Sequence, residues 1–271
     1  MAQYDRGPIL SFAQPLDFGS ANAYAQYTAE ATQRYMLGTR YITWDGSVYK
    51  YALAKGTLDP DMGVKCAATQ NLAYVTFGAA QGASAGATSI KCTFANTDGY
   101  ANSGLVLENE LAGGSCVIFS DTVATMRRGI LGNTGVVAGG GEVTLYLDAP
   151  IQVAITAATS FIEAIASPYY GVAHDSETKH SVIGVPCAIA TTGQYCWLQT
   201  WGVSWVTPQS RVGASSLIRA VYWRHDGSLD IRSLNGTFVD AYITDQYAGF
   251  VLQNTQAEAQ AAPFVMLQVS I

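Results

Sequence analysis

The sequence predicts an all-β protein built of antiparallel barrel or sandwich units, with an extended N-terminal arm and at most one or two short helices. From Thr39 onward, short runs of β-branched and aromatic residues recur about every ten residues, with a glycine-bearing turn in nearly every gap. Asp45-Gly46 and Asp226-Gly227 lie between such runs, where Asp-Gly pairs favour tight hairpin turns. The chain also lacks the alternation of strands and helices that an α/β fold requires.

Residues 1–38 differ from the rest and predict an extended arm. Pro8 and Pro15 interrupt regular structure there, and the aromatic residues are widely spaced. A short helix is predicted over residues 21–36, with Ser20 as its N-cap. The aromatic residues expected to anchor the arm to a partner are Tyr4, Phe12 and Phe18.

The β region is predicted to contain two domains, residues 39–166 and 167–271, with a break at Ser167-Pro168. Two separate β units and one long barrel with an insertion both fit this pattern. Hairpins are predicted over 40–51 and 223–231, each with a two-residue turn at its Asp-Gly pair. Further strands are predicted at Leu72–Phe77, Ser89–Phe94, Cys116–Phe119, Glu142–Leu147, Ile151–Ile155, Val182–Ala190, Tyr195–Val206, Phe238–Ile243, Gly249–Gln253 and Phe264–Ile271.

Charged residues are scarce, which predicts a surface that other chains cover. The 271 residues include 14 basic and 20 acidic side chains, or 13% charged, against about 25% in an ordinary soluble protein. The net charge of −6 argues against a nucleic-acid or anionic-membrane partner. The sequence contains no run of 18 consecutive apolar residues, the length that would predict a membrane-spanning helix. Its N-terminal residues also lack the basic start and apolar run of a signal peptide. We therefore expect synthesis in the cytoplasm and no membrane partner.

The five cysteines are too few and too odd in number for a disulfide scaffold, and we expect buried reduced thiols. One alternative stays open. A two-residue loop at Thr191-Thr192 would place Cys187 opposite Cys196 across a hairpin and allow a disulfide there.

No convincing catalytic or metal-binding set is present. Ser84 lies in a Gly-Ala-Ser-Ala-Gly match to the hydrolase nucleophile elbow, but a strand rather than a helix is predicted after it. His174 and His180 are six residues apart, whereas a zinc-protease helix places its two histidines four apart. The Asp59-Pro60-Asp61 segment lacks the later glutamate of a calcium loop. We expect no enzyme activity, cofactor or metal.

Aromatic residues alternate along the strand predicted from Tyr195, at Trp197, Trp201 and Trp205. Together with Tyr222 and Trp223, such rings can form a platform on which sugars stack. Alternate aromatic residues on a strand more commonly fill a barrel or a subunit interface. Both interpretations stay open from the sequence.

Four segments are similar to segments of tailed-bacteriophage virion proteins of the capsid decoration or cement type. They are GTRY from Gly38, DGSVYKYA from Asp45, GVP from Gly184 and GQYCWLQTWG from Gly193. Cys196 in the last segment stands where a glycine is expected. The resemblance implies a β-rich, non-enzymatic homo-oligomer, expected to be a trimer, that binds the major capsid protein on the outer capsid surface. The candidate interface residues are Tyr4, Phe12, Phe18, Trp197 and Trp201. A receptor-binding or carbohydrate-binding virion protein that uses the aromatic strand is the alternative.

Overall fold

The structure is a computed structural model of the chain. It describes residues 9–11, 25–66, 73–76, 81–98, 103–120, 125–157, 159–174, 181–209, 212, 218–231, 243–252 and 264–270.

The predicted all-β class is confirmed. The first strands are β1 (Ile9–Ser11), β2 (Arg40–Ile42), β3 (Val48–Ala54), β4 (Val64–Lys65), β5 (Ala73–Thr76), β6 (Ser89–Phe94), β7 (Ser115–Phe119), β8 (Thr125–Asn133) and β9 (Gly141–Leu147). The later strands are β10 (Phe161–Ile165), β11 (Tyr170–Val172), β12 (Val182–Pro186), β13 (Tyr195–Ser204), β14 (Ala220–Arg224), β15 (Leu229–Asp230), β16 (Ile243–Val251) and β17 (Val265–Gln268). A 3-10 turn, Ala25–Tyr27, is the helical element of the described residues. Within that part of the chain, no helix has the length and hydropathy needed to cross a bilayer.

The chain divides into two compact units, and the division differs from the predicted one. Unit 1 combines residues 1–68 with residues 171–271, and unit 2 is the continuous segment 69–170. The predicted domain 39–166 is therefore split. The physical reason is strand pairing over a long sequence distance, since β3 pairs antiparallel with β13 from Tyr195↔Leu53 to Trp201↔Val48. The predicted break at Ser167-Pro168 lies close to the end of unit 2.

Unit 1 contains a sheet whose main strand order is β1-β2-β3-β13-β17-β16-β14-β15. Its strand pairs are antiparallel except for β1 and β2, which pair in parallel with Ile9 opposite Arg40. Strand β12 pairs with β13 and β4, and β11 pairs with β3. The core beside β14 and β17 is centred on the fully buried Trp223 and includes Val221, Val265 and Leu267.

The two Asp-Gly hairpins are built alike and lie in the same sheet. In the first, Gly46 N–H donates to Thr43 O at 3.0 Å and Thr43 N–H donates to Ser47 O at 3.0 Å. This is a three-residue loop with a glycine bulge, so the predicted two-residue turn is wrong. Among the loop residues only Gly46 has a positive φ, of 82°, because Asp45 instead accepts hydrogen bonds from the Ser47 amide and hydroxyl.

The second hairpin repeats this arrangement around Gly227, whose φ is 87°. Gly227 N–H donates to Arg224 O at 3.1 Å, and Ser228 donates to the Asp226 carboxylate from its amide and its hydroxyl. This loop is also packed against the chain, since Gly63 N–H donates to Gly227 O at 2.8 Å. The first loop is open by comparison, with nothing within 4 Å of a Cβ placed on Gly46.

Unit 2 is a six-stranded sheet in the order β5-β10-β7-β8-β9-β6, curved into a nearly closed barrel. Its end strands β5 and β6 lie next to each other. Apolar residues at alternate positions point into the barrel, as the two-residue period of a strand requires. They include Ile90, Cys92 and Phe94 of β6, Cys116 and Ile118 of β7, Met126 and Ile130 of β8, Val143, Leu145 and Leu147 of β9, and Ile162 and Ala164 of β10.

Two local predictions are wrong, and the disulfide that the sequence left open is not formed. Over residues 25–36 of the predicted helix there is only the 3-10 turn, because the backbone instead bridges to β13 through Glu30. The predicted strand Ile151–Ile155 reduces to one isolated bridge between Ile155 and Ala83. Cys187 does not face Cys196, since its amide donates to Trp197 O at 3.0 Å, and all five cysteines are free.

Candidate binding surfaces

Six aromatic rings pack together over β2, β3 and β13 and form what we call the aromatic cluster. Its members are Tyr35, Tyr41, Tyr49, Tyr51, Tyr195 and Trp197. The Trp197 ring is central, with its centroid 5.1 Å from that of Tyr51 and 5.6 Å from that of Tyr41. Tyr195 stacks on Tyr51 at 5.8 Å with an interplanar angle of 9°. Ring pairs at these separations stabilise a fold beyond the area they bury.

The chain's own N-terminal segment closes over this cluster. Glu30 and Tyr195 exchange backbone hydrogen bonds of 2.8 and 2.7 Å, and the amide of Arg34 donates to the Tyr51 hydroxyl at 3.2 Å. A side-chain ion pair of 2.9 Å between Arg34 and Glu30 lies in the same segment. Burial raises the pKa of Tyr51 well above its ordinary value. Trp197 is only 4% exposed, so this ring packs inside the chain rather than at an open interface.

The other predicted platform residues do not form one exposed surface. Trp201 is partly exposed and lies opposite Gln268 of β17, whereas Trp223 is fully buried in the core of unit 1. Two glutamines near these rings, whose side-chain amides have the chemistry to bind sugar hydroxyls, are hydrogen-bonded within the chain. The side-chain Oε1 of Gln194 accepts from the Thr191 amide at 2.8 Å, and the Gln199 side-chain amide donates to Val203 O at 3.0 Å.

A buried ionic network in unit 1 was not predicted from the sequence. Lys65 is 1% exposed, and its ammonium group donates to the carbonyl of His225. The Arg224 guanidinium lies 3.5 Å from the fully buried Asp230 carboxylate and 3.6 Å from Asp226. Arg224 therefore lies between two carboxylates of opposite charge, and the buried Lys65 ammonium is bound by the backbone carbonyl of the next residue, His225. The sequence does contain one signal for this ion pair: Arg224 and Asp230 carry opposite charges and lie on opposite sides of the predicted Asp226-Gly227 turn.

The hairpin loop around Gly227 lowers the pKa of the Asp226 carboxyl. Burial acts to raise its pKa, but hydrogen bonds from Ser228 and the positive charge of Arg224 outweigh burial and keep the pKa below its ordinary value. The ionised carboxylate is thus the form that the hairpin binds.

The remaining sequence candidates for chemistry have structural roles where they are described. Ser84 lies in a turn, with Ala87 N–H donating to Ser84 O at 3.1 Å, and the strand β6 follows it. His174 is held at both ring nitrogens, since Nε2 accepts from the Asp59 amide at 2.8 Å and Nδ1 lies 3.2 Å from Gly63 O. His180 lies outside the described residues. Among the described residues, no three His, Cys, Asp or Glu side chains are grouped as metal ligands.

The outer wall of the unit 2 barrel carries an exposed patch with apolar and charged members, which we call the barrel patch. Phe119 of β7 and Phe161 of β10 are directly opposite each other and are 40% and 46% exposed. Two residues along β7, in the next row of side chains on the same face, Val117 lies between Glu163 on β10 and Arg127 on β8. The patch consists of Val117, Phe119, Thr125, Arg127, Phe161 and Glu163.

Tyr4, Phe12 and Phe18, the predicted anchors of the arm, lie outside the described residues. The described residues of the arm include β1, whose backbone adds a parallel strand to β2.

Comparisons of the chain with protein-family models, with curated proteins and with solved structures found no match.

Proposed function

We propose that this protein is a non-enzymatic capsid decoration protein of a tailed bacteriophage. In this role it binds the outer surface of the head as a homo-oligomer, expected to be a trimer, and stabilises contacts between major capsid subunits. A protein that repeats weak contacts over many symmetric positions stabilises a shell through multivalency and needs no chemistry of its own.

One observation carries the proposal. The four segments that resemble virion proteins fall into two groups, residues 38–52 and residues 184–202, which are far apart in sequence. Strand β3 of the first group nevertheless pairs with β13 of the second, so the strands β2, β3, β13 and β12 lie side by side. The resemblance therefore covers one contiguous piece of sheet rather than scattered turns. The low charge and the exposed aromatic rings of the barrel patch add support, because protein interfaces are enriched in aromatic side chains and depleted of charges at their centres.

The direct test is co-sedimentation of the purified full chain with empty phage heads, with bound protein quantified by gel densitometry. We expect saturable binding that increases resistance of the heads to heat. Failure to bind any tailed-phage head, or binding that does not saturate, would contradict the proposal.

The arm is tested with two variants. Deletion of residues 1–18 removes β1, whereas the triple variant Tyr4→Ala, Phe12→Ala, Phe18→Ala keeps the length of the arm and removes only its anchor side chains. Both are expected to remain folded oligomers by light scattering and to bind heads poorly, since buried aromatic side chains dominate interface energies. Full binding by both variants would refute the role of the arm.

Receptor or carbohydrate binding is a second candidate, favoured by the partly exposed ring of Trp201. A glycan array with wild type and Trp201→Ala tests it. Binding to a defined sugar that is lost in the variant supports this function, and no signal above background contradicts it. Trp197→Ala is not informative here, because the buried Trp197 ring also holds the aromatic cluster together.

A further inference from the structure

We propose that the barrel patch is a two-fold contact through which two copies of this chain associate. The inference deepens the homo-oligomer part of the proposed function and rests on it, but it departs from an isolated trimer. A two-fold contact pairs single chains or whole trimers and so gives an even number of chains. It identifies the surface, the symmetry of the contact and the residue pairs that determine it.

The register of three neighbouring strands places the patch on a small grid. Along one row, Phe161, Phe119 and Thr125 are opposite one another on β10, β7 and β8. Along the next outward-facing row, the residues are Glu163, Val117 and Arg127. Side chains directly opposite in neighbouring strands lie on the same face of a sheet, so all six project from the outer wall of the barrel.

Charge complementarity points to a second copy as the occupant of this patch. A two-fold axis that runs parallel to β7 and over Val117 places β7 of one copy on β7 of the other and exchanges β10 with β8. Glu163 of each copy then faces Arg127 of the second copy, and this pairing occurs twice. The patch is thus complementary in charge to itself, as an isologous contact requires.

Side-chain size agrees with the same axis. The bulky Phe161 ring of one copy faces the small Thr125 of the other, and the two Phe119 rings meet on the axis. Sheets that pack face to face lie about 10 Å apart, which leaves room for one layer of side chains from each copy. The centre of the contact is then apolar and its two margins carry the ion pairs, which matches the usual composition of interfaces.

The contact is expected to be small, because the outer wall of a barrel is convex and brings only three strands of each copy together. Small interfaces are typically weak, so association is measured at tens of micromolar protein. Sedimentation equilibrium of the full chain gives the mass of the assembly. We expect a mass that is an even multiple of the mass of one chain, whether or not a three-fold contact is also present.

Charge reversal isolates the two predicted ion pairs. Glu163→Arg and Arg127→Glu each place like charges at both symmetric positions, so each is expected to halve the assembled mass and to raise the dissociation constant about tenfold or more. Mixing the two single variants restores opposite charges at every position of the mixed pair, and we expect the wild-type mass to return. The double variant is likewise expected to associate as wild type does. Glu142→Arg, an exposed charge on β9 outside the patch, is the matched control and should leave the mass unchanged.

Three results would overturn the proposal: a wild-type mass that is one or three chains, single variants that keep the wild-type mass, or a mixture that does not recover it. The mixture needs no doubly substituted chain to fold, so poor folding of the double variant leaves the test intact. Head co-sedimentation is measured separately. Variants that associate as wild type does but lose head binding would assign the patch to the capsid and refute self-association through it. A wild-type chain that associates through the patch but binds no heads would refute the capsid role alone.

Discussion

The paired hairpins offer a test in which the same substitution is made in two similar loops with different surroundings. Gly46 and Gly227 have nearly equal φ values of 82° and 87°. An alanine in this left-handed conformation costs roughly 1–2 kcal/mol at either position. At Gly46 nothing lies within 4 Å of the added Cβ, so this conformational cost is the whole expected effect of Gly46→Ala.

Gly227→Ala is expected to cost more, because its Cβ would lie 2.2 Å from the carbonyl oxygen of Gly63. The loop must move away from Gly63, at an overpacking cost of about 1–3 kcal/mol. This movement also weakens the 2.8 Å hydrogen bond from Gly63 N–H to Gly227 O, which is worth about 1 kcal/mol. The total for Gly227→Ala is about 4 kcal/mol, two to three times that for Gly46→Ala.

The assay is urea unfolding followed by tryptophan fluorescence, with the free energy of unfolding obtained by linear extrapolation. All five tryptophans belong to unit 1, so the signal reports the unit that contains both hairpins. Equal losses of stability in the two variants, or a larger loss for Gly46→Ala, would show that the contact between Gly227 and Gly63 does not carry the energy assigned to it.

Three further predictions concern buried groups. Trp197→Ala is expected to lower the free energy of unfolding by about 3–5 kcal/mol in the same urea assay. The control is Trp44→Ala, whose ring is 85% exposed and whose loss should change the free energy of unfolding by less than about 0.5 kcal/mol. Asp230→Ala removes the carboxylate 3.5 Å from the Arg224 guanidinium and should cost about 3 kcal/mol, and a thermal unfolding midpoint equal to that of wild type would contradict this. Burial, reinforced by the charge of Asp148, raises the pKa of the Cys116 thiol from about 9 to about 11. The unfolded chain therefore loses this proton at lower pH than the folded chain does, so the free energy of unfolding should fall as the pH rises from about 9 to about 11. Circular dichroism melts across that pH range, compared with Cys116→Ala, measure the effect, and identical pH profiles would refute it.

Local patterns made much of the strand content predictable. Both ends of β6 were predicted because apolar and polar residues alternate between clear turns at Ser89–Phe94. Strand β8 was missed, since its sequence TMRRGILGN contains two arginines and two glycines that weaken a strand pattern. Its alternation becomes evident only beside β7, where Val117 lies opposite Arg127.

Long-range pairing was not predictable. No local signal shows that β3 pairs with β13, and this pairing determines the division into units and the burial of Trp197. For the same reason the barrel patch could not be derived from sequence. Phe119 and Phe161 are ordinary strand residues until the register places them side by side.

The insertion of unit 2 within unit 1 also sets an order of events on the ribosome. The partner strand of β3 emerges about 140 residues after β3 itself, a delay of roughly 7–28 s at usual rates of translation. All of residues 69–170 are synthesised during that delay, so the barrel has every strand it needs while the hairpin of β2 and β3 still lacks its neighbour. In a nascent chain stalled near residue 210, β13 is still inside the ribosome exit tunnel while all strands of the barrel have emerged. Such a chain should therefore protect the barrel from protease while the hairpin stays open to cleavage.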